Sequence, residues 1–223
     1  SAQDLKNQNY DLVVLATGVT MRRPDFEGIA HPKVLSYLDV LDRHVEVGKR
    51  VAIIGAGGIG FDLAHYLTVT ATITITPQDF LKEWGITEDP QARGGLVESA
   101  SKWKSAREVY LLQRKDEKVG AHLAKTTGWI HRKILSNRQV KMLNSVTYEK
   151  IDDQGLHITH AGKKKLLEVD HVIICAGQTP HDNLKIPLQS MGFKVEVIGG
   201  ARRAHELDAE AAIFDGTQLA CHL

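Results

Sequence analysis

Apolar residues in this chain form short continuous runs instead of alternating with polar ones. Such runs are typical of parallel strands buried on both faces of a sheet. They predict strands over residues 10–18, 51–54, 108–113, 169–177 and 194–201. Helical patterns cover 37–42, 61–67, 125–135 and 206–214. Strands that alternate with helices predict an α/β fold with a parallel sheet.

The predicted helix ends rest on polar capping residues. Ser36 is expected to cap the helix over 37–42, and Thr126 or Thr127 to cap the helix over 125–135. Asp215 followed by Gly216 predicts the end of the helix over 206–214.

Shorter strand patterns fill the region from 140 to 169. They cover 140–143, 145–151, 156–159 and 165–169, and the turn signal Asp152-Asp153-Gln154-Gly155 lies between the middle two. These patterns predict a β-meander as the crossover to the strand over 169–177, at a place where a Rossmann-like domain often uses a helix.

A glycine pattern joins the strand over 51–54 to its helix. Gly55, Gly57 and Gly60 fit G-x-G-x-x-G. In dinucleotide-binding folds the first glycine permits a tight turn, the second lets backbone approach a pyrophosphate, and the third lets the helix pack close to the strand. The phosphates then lie on free N–H groups at the helix start. The pattern predicts a dinucleotide site; the alternative is a turn that serves packing alone.

In a simple Rossmann unit a second strand follows this helix, and when the cofactor is NAD an acid lies about 20 residues beyond the glycines. The region after the helix differs from that pattern. Residues 68–76 could form a strand, and the Pro, Gly-Gly and Trp residues of 77–106 predict inserted loops with one short helix over 79–84. The better second strand is 108–113.

Two basic residues, Arg114 and Lys115, follow that strand. A carboxylate at this position binds the ribose hydroxyls of NAD, whereas an arginine pairs with the 2′-phosphate of NADP. Arg114 offers a planar fork suited to phosphate, and Lys115 adds a second positive charge. NADPH is therefore the expected cofactor; the alternative is that both residues are solvated surface charges.

The strands over 10–18 and 169–177 share one pattern, in which an acid precedes an apolar run that ends in alanine and glycine. Two such strand ends flank the glycine pattern. They predict two related nucleotide-binding domains, one inserted in the other.

Composition narrows the function classes. The 223 residues carry 28 Lys and Arg against 27 Asp and Glu, so no global charge favours nucleic acid or an anionic membrane as a partner. No apolar run approaches the ~20 residues of a membrane span, and residues 1–6 lack the apolar core of a signal peptide. Cys175 and Cys221 are expected to be free thiols, which favours a cytoplasmic location.

Metal and hydrolytic chemistry find no support in the residue spacing. His157 and His160 form the closest pair among the 11 histidines, but they lack a third ligand nearby. No Ser-His-Asp or Cys-His arrangement can be argued either. We therefore assign no metal ligand and no catalytic residue.

Four motifs together resemble the two-dinucleotide flavoprotein family. They are Ala16-Thr17-Gly18 with Arg23-Pro24, the glycine pattern with Phe61-Asp62, the stretch 175–180 and Ile198-Gly199-Gly200-Ala201. More narrowly, the blocks 31–41, 125–132 and 206–209 resemble the C-terminal part of bacterial NADPH-dependent 2,4-dienoyl-CoA reductases, in the trimethylamine dehydrogenase-like group. The resemblance spans nearly the whole chain.

The resemblance implies a role in a larger enzyme. In that family a TIM barrel with FMN and a 4Fe–4S cluster precedes an FAD domain, and an NADPH domain is inserted in the FAD domain. Electrons pass from NADPH through FAD, the cluster and FMN to a dienoyl-CoA of fatty-acid β-oxidation. Residues 1–46 and 180–223 are then a partial FAD-type domain, and 47–179 the NADPH-binding domain. The chain is expected to be a fragment without the barrel, which would be its partner.

Carry-over from the family assigns the cofactor contacts. The glycine turn begins at Gly55. Its part that would face the NADPH pyrophosphate is Gly57, Gly58, Ile59 and Gly60. The 2′-phosphate would lie against Arg114 and Lys115. Gly177 would line the nicotinamide side. The FAD contacts would be Ala16, Thr17, Gly18, Gly200 and Ala201. Many relatives carry an acid where Gly200 stands, so the fragment is expected to bind NADPH but to bind FAD poorly.

Two function classes remain open from the sequence. The first is the NADPH-binding, electron-input module of a flavin and iron–sulfur oxidoreductase. The second is a non-catalytic nucleotide-binding or docking module, in which residues 70–106 contact the barrel.

Overall fold

The computed structural model describes residues 1–69, 76–97, 105–205 and 208–223. Its strands are β1 Val13–Leu15, β2 Val19–Met21, β3 Val34–Ser36, β4 Arg50–Ile54, β5 Glu108–Leu112, β6 Lys141–Leu143, β7 Thr147–Asp152, β8 Gly155–His160, β9 Lys163–Leu167, β10 His171–Ile174, β11 Gln178–Pro180 and β12 Val195–Val197. Its α-helices are α1 Ala2–Leu5, α2 Tyr37–Leu41, α3 Gly58–Thr68, α4 Pro77–Trp84, α5 Gly128–Asn137, α6 Lys185–Ser190 and α7 Ala209–Ala220.

The chain folds as two compact units. One unit comprises Ser1–Arg22 and Gly177–Leu223, and the other comprises Arg23–Ala176, so the second is inserted between the two segments of the first. No helix among these described residues is both long enough and apolar enough to cross a membrane.

The inserted unit is built on a five-stranded parallel sheet with the strand order β3-β10-β4-β5-β6. The antiparallel meander β7-β8-β9 connects β6 to β10. The predicted α/β fold with a parallel sheet and a meander crossover is therefore confirmed.

Both faces of this sheet are buried, which explains the unbroken apolar runs. Val51 and Ile53 of β4 join Phe61 of α3 and Leu135 of α5 in one hydrophobic cluster. Ala52 and Ile54 point to the opposite face, where their cluster contains side chains of the meander such as Ile158. Successive strand residues point to opposite faces, so a strand covered on both sides is apolar at every position.

Residues 23–46 lie in the inserted unit, although the sequence predicts a boundary near residue 46. The reason is a long-range pairing: β3 is hydrogen-bonded to β10, with Val34 opposite Val172. Val40 of α2 then enters the hydrophobic cluster beneath α3. The predicted cap of α2 is confirmed, because the Ser36 side chain accepts a hydrogen bond from the Asp39 N–H at 3.0 Å.

The other unit contains two small two-stranded sheets, one of β1 with β12 and one of β2 with β11. Its helix α7 corrects one prediction. Asp215 and Gly216 do not end the helix, which continues to Ala220. Asp215 is buried and accepts the Gly199 N–H at 3.0 Å, so it serves a tertiary contact where the sequence predicts a helix end.

Other element ends differ by a few residues. Helix α5 begins at Gly128 instead of residue 125, and Thr127 occupies the cap position without a side-chain hydrogen bond. Helix α4 begins at Pro77, two residues before the predicted start, because Thr76 caps it with Asp79. The possible strand over 68–76 begins on the last residue of α3, and its positions 70–75 lie outside the described residues, as do 98–104 of the insertion and 206–207 before α7.

A buried ion pair ties α4 to the end of α5. Glu83 and Arg138 lie 2.8 Å apart between Oε1 and Nε and 3.2 Å apart between Oε2 and Nη2. Both side chains are almost fully buried. Arg138 also donates to the Thr68 hydroxyl at 3.1 Å, so the pair joins the inserted helix α4 to α3 and α5.

Replacing Glu83 by alanine is expected to lower the free energy of unfolding by about 3–5 kcal/mol, because it removes the carboxylate that is bound to the buried Arg138 guanidinium. Denaturant unfolding followed by circular dichroism measures the change. The double variant Glu83→Leu, Arg138→Met is expected to recover most of the loss, since it removes both charges. A loss below about 1 kcal/mol in the single variant would contradict this role.

Candidate dinucleotide-binding site

The glycine turn follows β4 and opens α3, and packing explains two of its glycines. Gly55 has φ +111°, and a Cβ there would lie 2.3 Å from the carbonyl oxygen of Cys175. A Cβ on Gly60 would lie 1.9 Å from the carbonyl oxygen of Gly55. A larger residue at either position would push the turn away from β10 or from α3.

Packing does not explain Gly57 and Gly58. A Cβ on either would meet no atom of the described chain within 4 Å, and both residues are exposed. Gly57 has φ −83°, which any residue adopts, so its conformation does not require glycine either. The open space in front of this backbone is what a closely approaching phosphate needs.

The start of α3 offers free hydrogen-bond donors to that space. The first N–H groups of a helix have no acceptor within the helix, and Gly57 at the cap position has no side chain to supply one. Gly58, Ile59 and Gly60 are the first helical residues. Together with the helix dipole, these donors favour an anion at this position.

The sheet brings the basic pair to the same edge as the glycine turn. Strand β4 lies between β5 and β10, with Ile54 opposite both Leu112 and Ile174. The carboxyl ends of all three strands therefore meet at one edge, where open α/β sheets bind their ligands. Arg114 and Lys115 follow β5 at this edge.

Arg114 is the more available of the two cations. Its side chain is exposed, and it makes no hydrogen bond or ion pair with any residue in the described part of the chain. Lys115 lies 3.7 Å from Oε1 of Glu117 and 3.3 Å from Nε2 of His122, so its charge is partly compensated. Burial raises the pKa of the Tyr148 phenol, and the positive charge of Arg114 opposes that shift.

The acid that directly follows this pair in the sequence is held by another element. Oδ1 of Asp116 accepts a hydrogen bond from the Ser145 hydroxyl at 2.7 Å and lies 3.4 Å from the amide nitrogen of Asn144. No local pattern in the sequence predicts this contact. The predicted strand over 145–151 includes Ser145, whereas β7 begins at Thr147 and leaves Ser145 in the linker.

The remaining predicted cofactor residues belong to the other unit. Gly18 has φ +75° and open space around a Cβ, and Gly177 has φ +96° with its carbonyl accepting the Arg22 N–H at 3.1 Å. Gly200 and Ala201 are buried, whereas Ala16 and Thr17 are exposed, with the Thr17 hydroxyl donating to the carbonyl of His181. Their FAD and nicotinamide contacts stay predictions.

A family model described as pyridine nucleotide-disulphide oxidoreductase matches residues 1–208. The chain belongs to this family. The pyridine nucleotide-disulphide oxidoreductase domain is an FAD- and NAD(P)-binding domain of redox enzymes, so the predicted Rossmann-like, flavoprotein character of the chain is confirmed at that level.

Individual relatives of this oxidoreductase domain have different activities. A metal reductase from Desulforamulus reducens is 26% identical over 195 residues, which cover 86% of this chain and 28% of the relative. The solved 2-naphthoyl-CoA reductase is 24% identical, with a TM-score of 0.74 over 100% of this chain and 28% of that one. Histamine dehydrogenase from Rhizobium sp. 4-9 is 16% identical, with a TM-score of 0.69 over 100% of this chain and 32% of its own.

These likenesses to solved structures show a shared fold. The chain spans about a third or less of each of the three relatives.

Both cysteines of this oxidoreductase domain are free, as predicted. Burial raises the pKa of the Cys175 thiol to about 12, so Cys175 stays protonated near neutral pH. A protonated thiol is a poor nucleophile. The role of Cys175 is therefore structural: its backbone follows β10 and packs against Gly55.

Proposed function

We propose that the chain is the NADPH-binding, electron-input module of a larger flavin and iron–sulfur oxidoreductase. The observation that carries the proposal is that one sheet edge holds both the open glycine backbone at Gly57 and Gly58 and an exposed Arg114 that makes no hydrogen bond or ion pair with a described residue. The first feature suits a pyrophosphate, and the second suits the 2′-phosphate that distinguishes NADPH from NADH.

Each element of the site has one task in this proposal. The N–H groups at the start of α3 bind the pyrophosphate, and the absence of side chains at Gly57 and Gly58 lets it approach them. The guanidinium of Arg114 binds the 2′-phosphate through paired hydrogen bonds. NADPH, when bound, supplies a hydride for the flavin.

The other unit would contribute to the FAD site of the whole protein. Gly18 fits a close approach of a cofactor, because no atom of the described chain would contact a Cβ there. Gly200 offers backbone contacts alone at the position where many relatives have an acid. FAD, with FMN and a 4Fe–4S cluster in a barrel domain, belongs to the proposed full protein.

The proposed substrate is a 2,4-dienoyl-CoA thioester of fatty-acid β-oxidation. The sequence blocks over 31–41, 125–132 and 206–209 support it, since they resemble the dienoyl-CoA reductases more narrowly than the glycine pattern does. The names of the relatives range over metal, aromatic acyl-CoA and amine substrates. Family membership therefore supports a redox role only. The proposal of a dienoyl-CoA substrate depends on the three sequence blocks.

Calorimetric titration of the chain with NADPH and NADH tests the proposal. We expect one molecule of NADPH to bind at least about tenfold more tightly than NADH, because Arg114 contacts only the former. Binding of neither nucleotide would overturn the proposal. In a preparation that retains flavin, NADPH is expected to bleach the flavin absorbance, whereas a docking module would bind nucleotide without bleaching.

A further inference from the structure

The loop that carries Arg114 is held in place by the linker between β6 and β7. Backbone contacts join Val146 N–H to the Gln113 carbonyl at 3.0 Å and Ser145 N–H to the Lys115 carbonyl at 3.2 Å. The Gln113 side chain also donates to the carbonyls of Lys115 and Glu117, at 3.2 and 3.1 Å. The backbone on both sides of Arg114 is thereby fixed, while the Arg114 side chain stays exposed.

Ser145 is the residue that contacts this loop twice. Besides its backbone bond to Lys115, its hydroxyl donates to Oδ1 of Asp116 at 2.7 Å. It has φ +51°, a left-handed conformation that is uncommon for residues other than glycine and carries a conformational cost. Such a conformation persists where the surrounding contacts determine it, and here those contacts are with the loop.

The bond to Asp116 has an electrostatic consequence for the phosphate site. Asp116 directly follows Arg114 and Lys115 in the sequence, and the next acid, Glu117, has its Oε1 2.9 Å from Nε2 of His122 and 3.7 Å from Nζ of Lys115. A free carboxylate so close to the basic pair could pair with Arg114 and would repel a 2′-phosphate. With its Oδ1 bound by Ser145 and close to Asn144, the carboxylate is directed towards the β6–β7 linker.

We propose that Ser145 is a positioning residue that determines the preference for NADPH over NADH, by holding the Arg114 loop and by restraining Asp116. This inference rests on the proposed NADPH function. It adds a residue outside the glycine turn and outside the basic pair, located on the strand linker that leads into the meander.

Ser145→Ala tests the proposal, because alanine removes the hydroxyl and keeps the backbone N–H. We expect the NADPH dissociation constant to rise about 5- to 10-fold, which is less than the direct loss of one hydrogen bond to a charged group because the lost bond acts on the nucleotide through the loop. The NADH constant is expected to change less than about twofold. Ser145→Asn is expected to restore the preference, since asparagine tolerates left-handed backbone and its amide can donate to Asp116.

The control variant is Ser136→Ala on α5, which also removes one hydroxyl; the Ser136 hydroxyl has no hydrogen-bond partner among the described residues. It is expected to leave both nucleotide constants unchanged. If Ser145→Ala leaves the ratio of the NADPH and NADH dissociation constants unchanged, this inference is wrong and the proposed NADPH function still stands. A wild-type chain without any NADPH preference would overturn the proposed function and this inference with it.

Discussion

Replacing Gly57 by valine is expected to weaken the binding of both NADPH and NADH by about 100-fold or more. The side chain would occupy the open space in front of the α3 donors and separate them from the pyrophosphate. Loss of one or two hydrogen bonds to a charged group, at about 1.5–3 kcal/mol each, corresponds to a change of this size. Calorimetric titration with each nucleotide measures it.

The fold is expected to survive this substitution, which makes the test informative. A Cβ on Gly57 meets no atom of the described chain within 4 Å, and the backbone there has φ −83°. Gly60→Ala is the contrasting variant, since its Cβ would lie 1.9 Å from the Gly55 carbonyl oxygen, and it is expected to lower stability. Gly216→Ala on α7 has open space as well; it is expected to leave nucleotide affinity unchanged and to raise stability slightly, because alanine favours a helix interior over glycine.

An unchanged affinity in Gly57→Val, with the thermal midpoint also unchanged, would show that the turn serves packing alone. The sequence alone leaves that alternative open. The open space around Gly57 and Gly58 favours the ligand explanation, because packing accounts for Gly55 and Gly60 and leaves the other two unexplained.

Arg114→Ala is expected to weaken NADPH binding about 10- to 100-fold and to change NADH binding less than about twofold. The guanidinium can form two charge-assisted hydrogen bonds with the 2′-phosphate, a group that NADH lacks. Raising the ionic strength is expected to weaken NADPH binding more in the wild type than in the variant, because salt screens exposed charges. The ratio of the two dissociation constants is the measured quantity.

Two control variants sharpen this test. Arg114→Lys keeps the charge and removes the planar fork, so an intermediate loss of NADPH affinity is expected. Lys163→Ala removes an exposed charge on β9, at the edge of the meander, and is expected to change neither nucleotide constant. Equal loss of NADH and NADPH affinity in Arg114→Ala would show that the residue stabilises the loop and does not recognise the 2′-phosphate.

Local patterns predicted much of the inserted unit. The apolar runs of β4, β5 and β10 identify strands covered on both faces, and the spacing of Gly55, Gly57 and Gly60 identifies the turn that follows β4. These features depend on residues close in sequence, where propensity and periodicity act directly.

Features that depend on distant residues could not be read in the same way. The pairing of β3 with β10 places residues 23–46 in the inserted unit, and no local sequence pattern predicts that β3 pairs with β10. Asp215 and Gly216 form a typical helix-ending pair, but the contact of Asp215 with Gly199 keeps both residues inside α7. The contact of Ser145 with Asp116 likewise joins two loops that separate elements bring together.

The assignment of one NADPH molecule to the α3 turn and the β5 end is tested most directly by a crystal structure of the chain with NADPH bound. The account predicts pyrophosphate oxygens within hydrogen-bond distance of the Gly58 and Ile59 N–H groups, and the 2′-phosphate on the guanidinium of Arg114. A nucleotide bound with its pyrophosphate away from the start of α3, or with its 2′-phosphate in solvent and Arg114 uninvolved, would contradict the account.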